Sequence, residues 1–216
     1  MNIKLFASAA VSALMIAGSA TAASLSFSGD TDTAILPGGP TGFSAGDLGA
    51  TGLSVGDTIT TVGKDIGVGG LSVDADNVTF EVTYLGSEAG HLNEAVELAM
   101  GDTLFINKGP DAASIGDTAT FKGGLAGFVA FLFRDLTDGG EFVQNGETGA
   151  SATGLRIGFS EISSDGKSVV ALFADGLGDG DFDDLAIRIS IVPLPAGGLL
   201  LLTALGGIGV MRRKKS

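Results

Sequence analysis

Glycine occurs thirty-six times in these 216 residues, against five prolines, one tyrosine and no tryptophan or cysteine. A glycine inside a helix costs about 1 kcal/mol relative to alanine, because its backbone has the most freedom to lose on folding. A chain punctuated this densely cannot sustain long helices. It is driven toward short extended segments joined by tight turns.

The pattern along the chain agrees. Residues 24–70 are rich in Gly, Ser, Thr and Asp, with short apolar pieces between them. Ser44-Ala45-Gly46-Asp47-Leu48, Ser54-Val55-Gly56-Asp57-Thr58 and Ser114-Ile115-Gly116-Asp117-Thr118 resemble one another. Each suits a turn before a strand, with Gly supplying the unusual φ and Asp bonding back to the backbone. Their uneven spacing argues against a solenoid, whose units recur at a fixed period. Over residues 77–84, Val78, Phe80, Val82 and Tyr84 alternate with Thr79, Glu81 and Thr83, the signature of a half-buried strand. Residues 87–100 have helical spacing, although the same residues also suit a loop feeding a strand at 96–99. Residues 103–107 and 118–122 read as short strands, with Gly109-Pro110-Asp111 turning between them. Residues 127–136, apolar on both faces, predict one central strand. Residues 155–162 and 167–174 flank Ser163-Ser164-Asp165-Gly166 as a β-hairpin, and residues 185–192 alternate again. The expectation is an all-β domain: an antiparallel β-sandwich of eight to ten strands, with a jelly-roll order among those open to it.

The two ends have a different character. Residues 1–22 read as a secretory signal peptide: Lys4, a thirteen-residue apolar stretch over 5–17, then the small-x-small pattern Ala20-Thr21-Ala22. Cleavage after Ala22 is the expectation, with an uncleaved anchor as the alternative. At the other end, residues 194–211 carry no charge and are followed by Arg212, Arg213, Lys214 and Lys215. Eighteen residues of helix measure roughly 27 Å, enough to span a bilayer's hydrocarbon core. By the positive-inside rule, the basic residues stay cytoplasmic and everything before Val192 lies across the membrane. About 170 residues, 23–191, remain for one exported domain.

The entry to this segment, Val192-Pro193-Leu194-Pro195-Ala196-Gly197, is pinned open. Proline lacks an N–H and pushes the residue before it toward extended geometry, leaving an unpaired strip that a membrane-embedded protease can bind. With the Leu-rich stretch and the Arg/Lys end, the motif resembles the VPLPA-CTERM sorting signal, a branch of the PEP-CTERM signals of Gram-negative surface proteins. The resemblance covers residues 192–216. It implies delivery through the secretion machinery, then recognition by an exosortase, a membrane cysteine transpeptidase that cuts near the prolines. It also implies a setting at the cell surface or in an extracellular polysaccharide matrix. A plain C-terminal anchor is the alternative.

Charge narrows the functions open to the domain. The whole chain carries −13, but five of its twelve basic residues lie in the end segments, so seven oppose all twenty-five acidic residues in the domain. Such a surface repels nucleic acid and favours cations or simple solubility. The absence of cysteine removes thiolate chemistry and disulfides. Asp175, Asp179, Asp181, Asp183 and Asp184 crowd five carboxylates into ten residues, with Gly176, Gly178 and Gly180 between them. Hard oxygen ligands at this density suit Ca²⁺, and a solvated acidic turn is the alternative. An EF-hand is excluded, since Asp184 and Ser190 stand where its Gly and bidentate Glu are required. His91, the only histidine, reads as a surface-loop residue and rules out multi-histidine zinc sites. Glu81, Glu141, Glu147 and Glu161 form no recognisable glycosidase pair, and no nucleophile elbow is present. The expectation is a non-enzymatic exported protein, with a Ca²⁺-dependent adhesin as second reading and a surface polysaccharide hydrolase as third.

Overall fold

The computed structural model describes residues 22–39, 42–46, 48–63, 66–137, 139–147, 154–176 and 180–193. Among them lie fourteen strands and a single 3-10 turn at Gly49–Thr51, with no α-helix. The largest sheet is antiparallel and seven-stranded: β2 (Asp32–Ile35), β3 (Thr58–Gly63), β12 (Arg156–Phe159), β13 (Ser168–Ala174), β14 (Leu185–Ile191), β5 (Thr79–Gly86) and β8 (Thr118–Lys122), in that spatial order. A four-stranded sheet orders β11 (Glu141–Gln144), β10 (Phe131–Asp135), β6 (Asn93–Glu97) and β7 (Thr103–Ile106). A three-stranded sheet orders β1 (Leu25–Gly29), β4 (Gly69–Val73) and β9 (Gly127–Phe128). The fold is all-β and antiparallel, an arrangement consistent with a sandwich. Its strands are more numerous than the eight to ten expected.

All three sheets share one apolar core. Phe133 of β10 stacks on Phe173 of β13 with ring centroids 5.3 Å apart, Phe131 meets Phe159 of β12 edge-on, and Phe27 of β1 tilts against Phe159. The alternation read over 77–84 and 185–192 places Phe80, Val82, Ile187 and Ile189 in this core. The outer face of the seven-stranded sheet is also covered: Leu36, Phe43 and Leu48, from the long connection between β2 and β3, pack with Ile59, Leu172 and Phe182.

Two expectations fail for physical reasons. The helical spacing of 87–100 is overridden by sheet pairing: β6 lies between β10 and β7 and is buried throughout. Its glutamates are tolerated because each is satisfied. Glu94 accepts from Arg134 at 2.8 Å and Thr103 at 3.0 Å, while Glu97 takes the backbone N–H groups of Ala99, Met100 and Asp102. The alternative reading, a loop feeding a strand, was nearer, although the strand starts at Asn93. The single strand expected over 127–136 is broken after Phe128, so that β9 pairs with β4 and β10 with β6. Buried Asn145 stitches the break. Its Oδ1 accepts from Leu71 N–H, and its Nδ2 donates to the carbonyls of Leu71 and Val129, each at 2.8 Å.

The hairpin of β12 and β13 and the strand over 185–191 stand where the sequence puts them. No helix among the described residues is long and apolar enough to cross a membrane. The expected signal peptide (except Ala22) and the expected span 194–211 lie outside those residues, as do Leu194, Pro195, Ala196, Gly197, Arg212, Arg213, Lys214 and Lys215. Replacing Asn145 by Ala strands the buried Leu71 N–H, while the carbonyls of Leu71 and Val129 lose a second donor but keep the N–H groups of Val129 and Phe131. A loss of about 1–3 kcal/mol is expected in urea unfolding, the usual cost of one orphaned buried group. A midpoint equal to that of the parent protein would show that this side chain does not join the sheets.

Candidate functional site

In the acidic stretch between β13 and β14, residues 181–184 are buried rather than solvated. Phe182 stands in the left-handed region at φ 61 and is buried in the outer-face cluster, so it acts as an anchor for the residues around it. Room for its ring comes from Gly158 of β12, where a Cβ would lie 2.7 Å from the Phe182 ring and 2.6 Å from Ile59. With Phe182 seated, Asp181, Asp183 and Asp184 are carried inward and are 6%, 1% and 7% exposed.

Backbone donors hold two of these acids. Asp183 Oδ2 accepts from Ser44 N–H at 2.6 Å, and its carbonyl accepts from Glu88 N–H at 2.9 Å. Asp184 Oδ2 accepts from Asp175 N–H at 2.7 Å, its carbonyl from the Ser87 hydroxyl at 2.6 Å, and its own N–H donates to Phe173 O. The loop is thereby tied to two others, at Ser44 and at Ser87 and Glu88. Carboxylate oxygens of Asp181, Asp183 and Asp184 lie within 4.8 Å of one another. Burial, joined by the negative charges of Asp175 and Asp181, pushes the Asp184 carboxyl up to about 8, against the partial relief of the Asp175 N–H. Three convergent buried carboxylates can hold a metal ion, whose charge would take over the role of that proton.

The other expected ligands are placed differently. Asp179 lies outside the described residues. Asp175 reaches toward a second trio, which sequence reasoning missed: His91 Nδ1 is 2.8 Å from Asp135 Oδ2 and 3.7 Å from Asp175 Oδ2. His91 is therefore no simple surface-loop residue. Its side chain is 30% exposed and its partner Asp135 is buried. Forty-four residues separate the pair, so no local spacing could announce it. The available signal for the first trio was Phe182, a lone aromatic among acids.

A surface cleft of about 480 Å³ lies elsewhere, lined in part by Thr103, Ile106, Asp111, Asp117 and Thr118. It contains neither trio. No protein-family model, curated protein or solved structure matches the chain.

A pH dependence follows from Asp184. Its folded-state pKa lies above its ordinary value of 3.8, so its contribution to stability is whole below that value and is lost as pH rises toward about 8. Asp74, held low by the Ser24 N–H, and Asp165, held low by the Ser163 hydroxyl, titrate beneath this window. So does Glu97, in which burial is outweighed by the N–H groups of Asp102, Met100 and Ala99. In chelator, the urea midpoint should fall between about pH 5 and about pH 8, and Asp184→Asn should flatten that slope. A midpoint rising across the same range would contradict the buried, protonated Asp184.

Proposed function

We propose that this chain is a non-enzymatic protein exported by the secretion machinery, cut at residues 192–197 by an exosortase-type transpeptidase, and destined for the cell surface or an extracellular polysaccharide matrix. The observation that carries the reading is where the fold lets the chain go. Val192 N–H donates to Thr79 O at 2.9 Å, the last backbone bond of β14 with β5, and Pro193 is already exposed. Among the described residues the paired backbone thus ends at the first residue of the motif, with Pro193 beyond the sheet. The acidic, cysteine-free domain before it is read as a β-sandwich.

The buried acids favour a second reading, a Ca²⁺-dependent binding module or adhesin. Here Asp181, Asp183 and Asp184 hold Ca²⁺, with carbonyl or water oxygens completing the six to eight it takes. The ion would brace the loops at Ser44 and Ser87 against the β13–β14 connection.

Mass spectrometry of the protein from its native cells tests the first reading at both termini. A mature start at Ala23 and loss of Arg212 through Lys215 are expected. An intact basic tail, whether or not the transpeptidase is present, would defeat it. For the second, Ca²⁺ at a hundredfold excess over its Kd should raise Tm by roughly 5–10 °C, an effect lost in Asp181→Asn and Asp183→Asn. A Tm indifferent to Ca²⁺ would remove that reading and leave the sorting proposal standing.

A further inference from the structure

The second trio sits where the two main sheets close over the end of the core. Phe133 and Phe173 stack across the gap, and two residues further along each chain stand Asp135 and Asp175. Asp135 ends β10 and Asp175 directly follows β13, and their carboxylate oxygens lie within 4.8 Å of each other and of the His91 ring nitrogen, beyond the ring pair. His91, on the approach to β6, brings its Nδ1 between them, at 2.8 Å from Asp135 and 3.7 Å from Asp175.

A fourth side chain belongs to this place. Asn93 is the cross-strand partner of Asp135, and the register that pairs Ala95 with Phe133 puts Asn93 and Asp135 on the same, core-facing side. Opposed side chains on one face lie about 5 Å apart at Cβ. Asn93 is fully buried, and neither its Oδ1 nor its Nδ2 has a hydrogen-bond partner among the described residues. A buried carboxamide with both atoms unsatisfied costs free energy that a native fold rarely leaves uncompensated. Its placement beside a histidine and two aspartates indicates what compensates it.

We propose that His91, Asn93, Asp135 and Asp175 bind a divalent transition-metal ion of the Zn²⁺ class, at a site separate from the three-aspartate cluster. The donor set is one imidazole nitrogen, two carboxylates and one amide oxygen, and imidazole favours Zn²⁺ and its neighbours over Ca²⁺ or Mg²⁺. Charge balances as well. Two carboxylates with neutral imidazole and amide neutralise a dication, whereas a protonated His91 alone would leave one buried negative charge uncompensated. With the ion five-coordinate, the amide nitrogen of Asn93 donates to a water molecule in the fifth position. The partial exposure of His91 provides the way in. This assignment does not rest on the export reading or on Ca²⁺ in the first trio.

Because the chain has a single histidine, the experiment needs no mutation to locate the ion. In the full chain labelled with ¹⁵N-histidine, one equivalent of Zn²⁺ should shift the Nδ1 resonance and saturate, with Ca²⁺ present throughout. By calorimetry, His91→Ala should weaken Zn²⁺ binding by on the order of a hundredfold, and Asn93→Ala by on the order of tenfold or more. Ca²⁺ stabilisation in His91→Ala should match that of the parent and report that the variant is folded; near-ultraviolet circular dichroism serves the same purpose if Ca²⁺ has no effect. An imidazole resonance unmoved by excess Zn²⁺ would overturn the proposal. So would a Zn²⁺ affinity that survives His91→Ala but is lost in Asp183→Asn, since the ion would then occupy the three-aspartate cluster.

Discussion

The contact between Phe133 and Phe173 fixes the relation between the two larger sheets, and the polar end of the molecule depends on it. Two rings at 5.3 Å and nearly parallel set the spacing of the layers as well as burying area. Strand periodicity then determines what stands beyond them. Asp135 follows Phe133 at a separation of two on β10, Asp175 stands just past the end of β13, and the two carboxylates meet at His91. A polar assembly is thus positioned by an apolar one, and its geometry is as rigid as the stack behind it.

The cost of this arrangement is electrostatic. Asp175 contacts His91 on one side and donates its N–H to Asp184 on the other, so it joins the two trios into one buried acidic region. Like charges in a poorly solvated site cannot all ionise without partners. The fold answers with backbone N–H donors, with the imidazole, and at Asp184 with a retained proton. None of these neutralises the region completely, and a cation does so more economically than further hydrogen bonds.

Much of the architecture was legible because it is local. The alternation over β5 and β14 and the Asp-Gly turn between β12 and β13 are written in consecutive residues, and they stand in the structure as read. Where long-range contacts decide, local patterns misled. HLNEAVELAM has helical spacing, yet Arg134, Thr103 and three turn N–H groups satisfy its glutamates on a buried strand. Residues 127–136 form a continuous apolar run, yet Asn145 bonds at the point where they divide between sheets. The density of the aspartates could be counted from the sequence, but their burial could not. Burial depends on Phe182 finding the space beside Gly158, and the pairing of His91 with Asp135 depends on strands forty-four residues apart.

The exit of the chain at Val192 has a mechanical side. β14 lies inside the seven-stranded sheet, with β13 along one edge and β5 along the other, and the final bond to Thr79 closes its end. A rim strand tugged at its end can peel away one bond at a time. An inner strand gripped along both sides must shear two ladders together, so tension arriving through Pro193 is spread over the middle of the sheet rather than concentrated at a margin. The sheet is therefore built to resist a pull applied at the end of β14, the last strand among the described residues.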